Sequence, residues 1–339
     1  MRESLENSAV WAHMQALRWT HWRPFVNAAR DPRAIQTRLL LGLLERNRDT
    51  TFGHEHNFAT ISSYKEFADG VPVQTYESLR PYIERQQQTA ERALTSSPPV
   101  LFAQTSGTTG KPKLIPLLAE TLEAHKRTQS TQACALFAVE PDIFYGRILG
   151  IVSPAVEGHL ANGIPFGSAS GHVSRTMPRR ARKRYVLPEE ALEISDYESK
   201  YQVIVALALA CSDVTCIATA NPSTLLKLVS VFREHRETLL RHIADGTLPC
   251  PDRLTPAQRS AILPRIRCSL DRIAELKALL RVDNPSLSDL WPRLRLITTW
   301  IGGSCSIPLN AVRNSLPDSV HIAELGYMSC RANFAEPSQ

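Results

Sequence analysis

The nonapeptide TSGTTGKPK, residues 105–113, follows directly on the short run VLFAQ, residues 100–104. The run reads as a buried strand, and nothing in the nonapeptide can continue it as strand or helix. Four hydroxyl side chains (Thr105, Ser106, Thr108, Thr109), two glycines (Gly107, Gly110) and two lysines (Lys111, Lys113) stand within nine residues. Glycine lets a backbone fold tightly enough to turn its N–H groups inward, hydroxyls add donors, and lysine brings a mobile positive charge. Together these features suit a cradle for phosphate groups at the end of a strand. The spacing is not that of the common P-loop, since counting from Gly107 puts Pro112 where the second glycine must stand.

Outward from this loop, residues 114–118 resume as strand despite Pro116, and residues 121–139 have the Ala-rich composition of a helix stopped by Pro141. Residues 148–153 read as buried strand, 192–210 as helix, and the β-branched run 214–220 as strand. Asn221-Pro222 supplies a cap and a first-turn residue for a helix with apolar Leu225, Leu228, Phe232, Leu239 and Ile243. Residues 294–300 repeat the strand signal before Gly302, Gly303 and Ser304 break it, and residues 320–323 offer one more strand before Gly326. Strand alternating with helix is the rhythm of an α/β fold. Nearer the start, Ile35, Leu39, Leu40, Leu43 and Leu44 form a helical stripe expected to pack and to end near Asn47. Residues 71–82, with Pro72 and Pro81, are expected to wander as an extended connector, and Trp11, Trp19 and Trp22 to act as packing anchors.

Composition bounds the rest. With 339 residues, 43% hydrophobic and 21% charged, the chain can bury one large core or two smaller ones, which excludes disorder and collagen. The longest unbroken apolar stretch, residues 203–211, is far short of the roughly 20 residues a membrane span needs, and no signal peptide is read at the start. Seven cysteines lie scattered without a C-x-x-C pair, as expected of a reducing, cytoplasmic setting. The net charge of +6 is compatible with a phosphate-bearing ligand. His54-Glu55-His56 has metal-ligand residue types but no third partner in sequence, and reads as a solvated turn. Residues 175–184 carry six basic side chains without an aromatic platform, so the run reads as a solvated surface loop and no nucleic-acid partner is expected.

The segment SGTTGKPK is similar to the phosphate-binding signature of the adenylate-forming, acyl-activating superfamily. TTFGHEHNF (50–58), VPVQTYESLRPYIER (71–85), VEGHLANGIPFGSASG (156–171), TANPSTLLKL (219–228), WPRLRLITTWIGGS (291–304) and HIAELGYMS (321–329) resemble, in order, the auxin-responsive acyl acid amido synthetase branch. The resemblance implies an α/β large N-terminal domain of the adenylate-forming type, with mixed and parallel sheets flanked by helices. It would span residues 31–334, after a helical extension at 1–30 and before a tail at 335–339.

The implied activity is ATP-dependent: a carboxylic acid becomes an acyl-adenylate, pyrophosphate leaves, and the acyl group passes to an amine or amino acid. Thr105, Ser106, Gly107, Thr108, Thr109, Gly110, Lys111 and Lys113 match the ATP phosphate loop, with Thr108, Lys111 and Lys113 as its catalytic members. Fixed donors matter most there, because charge grows on the phosphates in the transition state. Gly302, Gly303 and Ser304 match the strip beside the nucleotide, where a side chain would block it. Glu324, Gly326 and Tyr327 match a further nucleotide motif.

Magnesium is also implied, yet Cys330 and Arg331 stand where the resemblance places a Ser-Glu pair whose carboxylate helps hold it. A guanidinium cannot ligate a cation, which leaves Glu324 or Glu336 as substitutes and leads to an expectation of impaired metal binding. The sequence ends at Gln339, before the small C-terminal lid domain the resemblance would supply, so reduced turnover by this chain alone is expected. A catalytically impaired relative that binds nucleotide or acyl acid without turnover is the alternative reading.

Overall fold

The computed structural model describes residues 2–89, 91–104 and 113–325, the side chains of residues 2–5 and 180 excepted. The chain divides into two compact units, one drawn mainly from residues 11–135 and 154–173, the other from residues 136–153 and 174–328.

The larger unit is built on four parallel strands, β3 (Arg147–Ile151), β6 (Val214–Thr219), β7 (Leu296–Thr299) and β8 (His321–Glu324), adjacent in that order. Apolar side chains point to both faces of the sheet because both are covered. Leu149, Ile217, Ile297 and Ile322 face the main core, whereas Ile148, Cys216, Leu296 and Ala323 face Leu136, Ile143 and Phe144. The core centres on the helix Tyr197–Ala210, whose residues 203–209 are wholly buried, against the amphipathic helix Ser223–Asp245. Within this packing Cys216 has its thiol pushed up to about 12 by burial, and so does the Tyr185 hydroxyl.

The smaller unit holds a mixed sheet. Here β1 (Leu101–Gln104) pairs antiparallel with β2 (Leu114–Leu117) on one side and parallel with β5 (Pro165–Gly167) on the other, and β5 pairs antiparallel with β4 (Gly158–His159). Pro116 is tolerated because β2 is an outer strand. Leu101, Ala103, Leu117, Leu122 and Ala169 form a small core over this sheet. A Cβ on Gly167 would sit 2.5 Å from the Ala155 carbonyl oxygen, so β5 requires glycine at its end.

The six strands read from the sequence match β1, β2, β3, β6, β7 and β8 within one or two residues, as does the helix Ala119–Val139, whereas the short β4 and β5 fall outside that reading. Five expectations are corrected. Residues 71–82 are not all extended: after Thr75 the chain forms the helix Tyr76–Gln88, started by a reciprocal cap between Thr75 and Ser78 and continuing through the interior Pro81. The 192–210 helix is two, Glu189–Leu192 and Tyr197–Ala210, because Asp196 caps a new start through its side chain. The helix after β6 begins at Ser223, one residue beyond Pro222, with Asn221 Oδ1 accepting the Ser223 N–H at 2.9 Å. The helix Pro32–Asn47 ends where the stripe predicts, but its only buried residue is Leu44, with Leu39 and Leu43 exposed. Trp11 and Trp19 are likewise exposed, the latter under the Arg23 guanidinium at 3.2 Å.

Candidate functional site

Ligands of parallel sheets sit beyond the carboxyl ends of the strands, where loops converge and side chains are not needed for packing. In the larger unit β3, β6, β7 and β8 end in register, at Ile151, Thr219, Thr299 and Glu324. Thr219 and Thr299 are buried, and Thr299 Oγ1 donates to the Ala220 carbonyl at 3.2 Å, tying the ends of β6 and β7 together. The Trp300 N–H reaches the same carbonyl at 3.1 Å.

Past Thr299 the chain turns outward through Trp300, Ile301, Gly302 and Gly303 into a short turn and the helix Ser306–Arg313. Glu324 controls this exit: its Oε2 accepts the Ile301 N–H at 3.0 Å, while the Leu325 N–H donates to the Thr299 carbonyl at 3.0 Å. The candidate Glu324 therefore shapes the glycine strip in addition to facing solvent.

Gly303 has φ +60°, a left-handed conformation that costs L-residues about 1–2 kcal/mol. Gly302 is different. Its φ of −88° suits any residue, and a Cβ there would meet nothing within 4 Å. Neither strain nor any described protein atom demands glycine at 302, so the open strip has room for a ligand to lie flat against backbone.

In the smaller unit the phosphate-loop candidates Thr105, Ser106, Gly107, Thr108, Thr109, Gly110 and Lys111 lie outside the described residues, as do Gly326, Tyr327, Cys330, Arg331 and Glu336. Both flanks of the loop are described. It leaves β1 at Gln104 and returns to β2 at Leu114, its register partner, with Lys113 placed 5.1 Å from the centre of the Tyr76 ring. β1 and β5 run parallel and end together, so Ser168, which follows β5, shares this edge; its Oγ accepts the Gly171 N–H at 3.2 Å. The sequence reading passed over Tyr76 and Ser168. The Thr75-x-x-Ser78 capping pattern was the signal that would have placed Tyr76 on a helix start.

The other sequence candidates find structural partners. His56 stacks on Phe52 at 4.0 Å and its Nδ1 lies 2.9 Å from the Phe52 carbonyl, while Glu55 accepts the Tyr82 hydroxyl. In the basic run, Arg184 reaches the Tyr145 carbonyl at 3.1 Å, Arg182 the Arg175 carbonyl at 2.5 Å, and Arg175 lies 3.4 Å from Glu189. Residues 184–186 run along the outer side of β3 and cover that edge.

Among the described residues no cluster of three or more His, Cys, Asp or Glu side chains fits a metal ion. No helix among them is long and apolar enough to cross a membrane.

Residues 22–321 match the GH3 family N-terminal domain. Over 228 residues, 65% of this chain and 41% of the relative, the chain is 28% identical to indole-3-acetic acid-amido synthetase GH3.2 of Arabidopsis thaliana. It is 24% identical to the GH3.5 enzyme of the same plant over 84% of this chain and 48% of that one. The chain thus spans about half the length of the curated relatives it matches. Among solved structures, GH3.15 acyl acid amido synthetase superposes with a TM-score of 0.73 at 23% identity, covering 88% of this chain and 52% of that one. That likeness shows the same α/β fold.

Proposed function

This chain belongs to the GH3 family, and on that premise we propose that it serves ATP-dependent activation of a carboxylic acid and transfer of the acyl group to an amine. Its relatives are named as amido synthetases acting on indole-3-acetic acid, and the same reaction class is assigned here without naming the acid or the acceptor. The observation that carries the reading is Gly302, a glycine beside the carboxyl ends of β6, β7 and β8 whose side chain would meet no atom of the described residues. A nucleotide lying against that strip supplies the reason.

Each residue then has a part. Thr105, Ser106, Gly107, Thr108, Thr109, Gly110, Lys111 and Lys113 bind the phosphates and steady the charge that grows as pyrophosphate departs. Gly302, Gly303 and Ser304 flank the nucleotide, Glu324 sets the strip's path, and Gly326 and Tyr327 complete that side. ATP, as substrate, supplies the adenylyl group that activates the acid, with pyrophosphate as the leaving group. Residues 31–334 form the catalytic large-domain portion, with 1–30 as a helical extension and 335–339 as a tail.

The test is ATP–pyrophosphate exchange across a panel of aryl and alkyl acids. Exchange above background with at least one acid is expected, falling about ten-fold or more in Gly302→Val at an unchanged melting temperature. Silence with every acid would count against turnover by this chain. A second reading, binding without turnover, is favoured by Arg331, which stands where the family resemblance places a metal-binding carboxylate. Calorimetric binding of ATP in the absence of exchange selects it.

A further inference from the structure

The loop of residues 105–113 closes β1 onto β2, and the way β2 is held bears on that loop. Pro116 has no N–H to give, so its pairing with Phe102 is of the non-hydrogen-bonded kind, and by alternation so is Gln104 with Leu114. The N–H and C=O of Leu114 therefore point away from β1, on the outer side of an outer strand. One hydroxyl meets both. Leu114 N–H donates to the Tyr76 oxygen at 3.0 Å, and the Tyr76 O–H donates to the Leu114 carbonyl at 3.2 Å.

Tyr76 is itself fixed. It is the first residue of its helix, with Ser78 N–H donating to Thr75 Oγ1 at 3.2 Å and Thr75 N–H donating to Ser78 Oγ at 2.9 Å on either side of it. Two cations approach its ring, Lys113 Nζ at 5.1 Å and the Arg80 guanidinium at 5.0 Å. Glu77 grips Arg80 through both oxygens at 2.8 and 2.9 Å. Its carboxyl is held below the usual range, first by that hydrogen bond and further by the charges of Arg80 and Lys113.

We infer that Tyr76 is a positioning residue for the phosphate loop, its hydroxyl fixing the loop's exit at Leu114 and its ring lying beside Lys113. The inference rests on the reading of residues 105–113 as that loop. Any loop that closes on an anion loses conformational entropy on binding, and pinning its exit beforehand lowers that cost. Binding of polyphosphate then depends on a side chain that does not belong to the loop.

The experiment uses the full 339-residue chain, with ATP and inorganic tripolyphosphate as calorimetric probes and circular dichroism to follow melting. Tyr76→Phe removes the hydroxyl and keeps the ring; we expect both probes to bind about ten-fold more weakly, with the melting temperature nearly unchanged. Affinities within about two-fold of the parent overturn the positioning role. Arg80→Met leaves the hydroxyl contact intact and is expected to leave affinity nearly unchanged; a loss there equal to that of Tyr76→Phe overturns the assignment to the hydroxyl. If Tyr76→Phe does not fold, exchange of the Leu114 amide in the parent decides: slow exchange supports the contact, and exchange at the unprotected rate overturns it. A parent that binds neither probe removes the phosphate-loop reading itself, an outcome distinct from a parent that binds and a variant that binds equally well.

Discussion

At the scale of single residues, the buried unit with most at stake is the carboxyl end of the helix Tyr197–Ala210. A helix leaves its last carbonyls without partners, and here that end lies in the core where water cannot serve them. Arg272, 2% exposed, donates from Nε to the Leu209 carbonyl at 2.9 Å and from a terminal nitrogen to the Leu290 carbonyl at 2.6 Å. Its charge is met by Glu275 at 2.8 Å. Trp291, fully buried, donates from Nε1 to the Ala208 carbonyl at 2.8 Å. Arg272→Met leaves two buried carbonyls without their donor and should cost about 3 kcal/mol, whereas Trp291→Phe loses one hydrogen bond and should cost about 1–3 kcal/mol. Urea unfolding measures both, and a loss within about 0.5 kcal/mol for Arg272→Met would contradict the account. The tryptophan that opens the WPRLRLITTW segment is thus a structural donor; its run shows an apolar aromatic but not which carbonyl it would serve.

At the scale of elements, local chemistry decides where each piece begins. Asp196 starts the central helix by accepting the Ser199 N–H at 3.0 Å and the Ser199 hydroxyl. The hydroxyl bond first, then the N–H, holds its carboxyl below the usual range. Because the folded pKa lies below the unfolded one, this stabilisation is present above the unfolded value of about 4 and disappears as pH falls through the folded one. Asp196→Asn keeps an acceptor but removes the titration, so its unfolding midpoint should fall less steeply than the parent's below about pH 4; parallel profiles would show that Asp196 does not contribute. The capping signals at Asp196 and Thr75 are written in the sequence, yet hydropathy alone hides them: it merges residues 192–210 into one helix and lets two prolines read as a connector. The basic run at 175–184 shows the converse. Its charge density suggests a solvated surface run, and Arg175, Arg179, Arg182 and Lys183 are exposed, yet Arg182 and Arg184 also reach backbone carbonyls that only the fold brings near.

At the scale of the molecule, burial is uneven. In the larger unit one continuous core gathers residues from Leu149 to Val320, while the core over β1 and β2 is small. Stability against local opening follows buried contacts, so amides of Val203 to Leu209 and of β6 and β7 should exchange slowest, and those of β1, β2 and β5 markedly faster. Equal protection in the two sheets would overturn this ranking.

Sequence by itself determined the α/β class, the position of six strands and the family, because apolar runs, breakers and the six ordered segments are local properties of the chain; β4 and β5 are too short to leave such a run. It marked residues 105–113 and 302–304 for the same reason, as glycine and hydroxyl density needs no partner to be seen. Tertiary structure alone decided that Glu324 ties down Ile301, that Tyr76 clasps Leu114, and that Arg272 serves the carbonyls of both Leu209 and Leu290. Those are pairings between backbone groups and side chains 18 to 63 residues apart. Hydrogen bonding is satisfied by whichever groups the packed core brings within reach, and a linear pattern does not record that proximity.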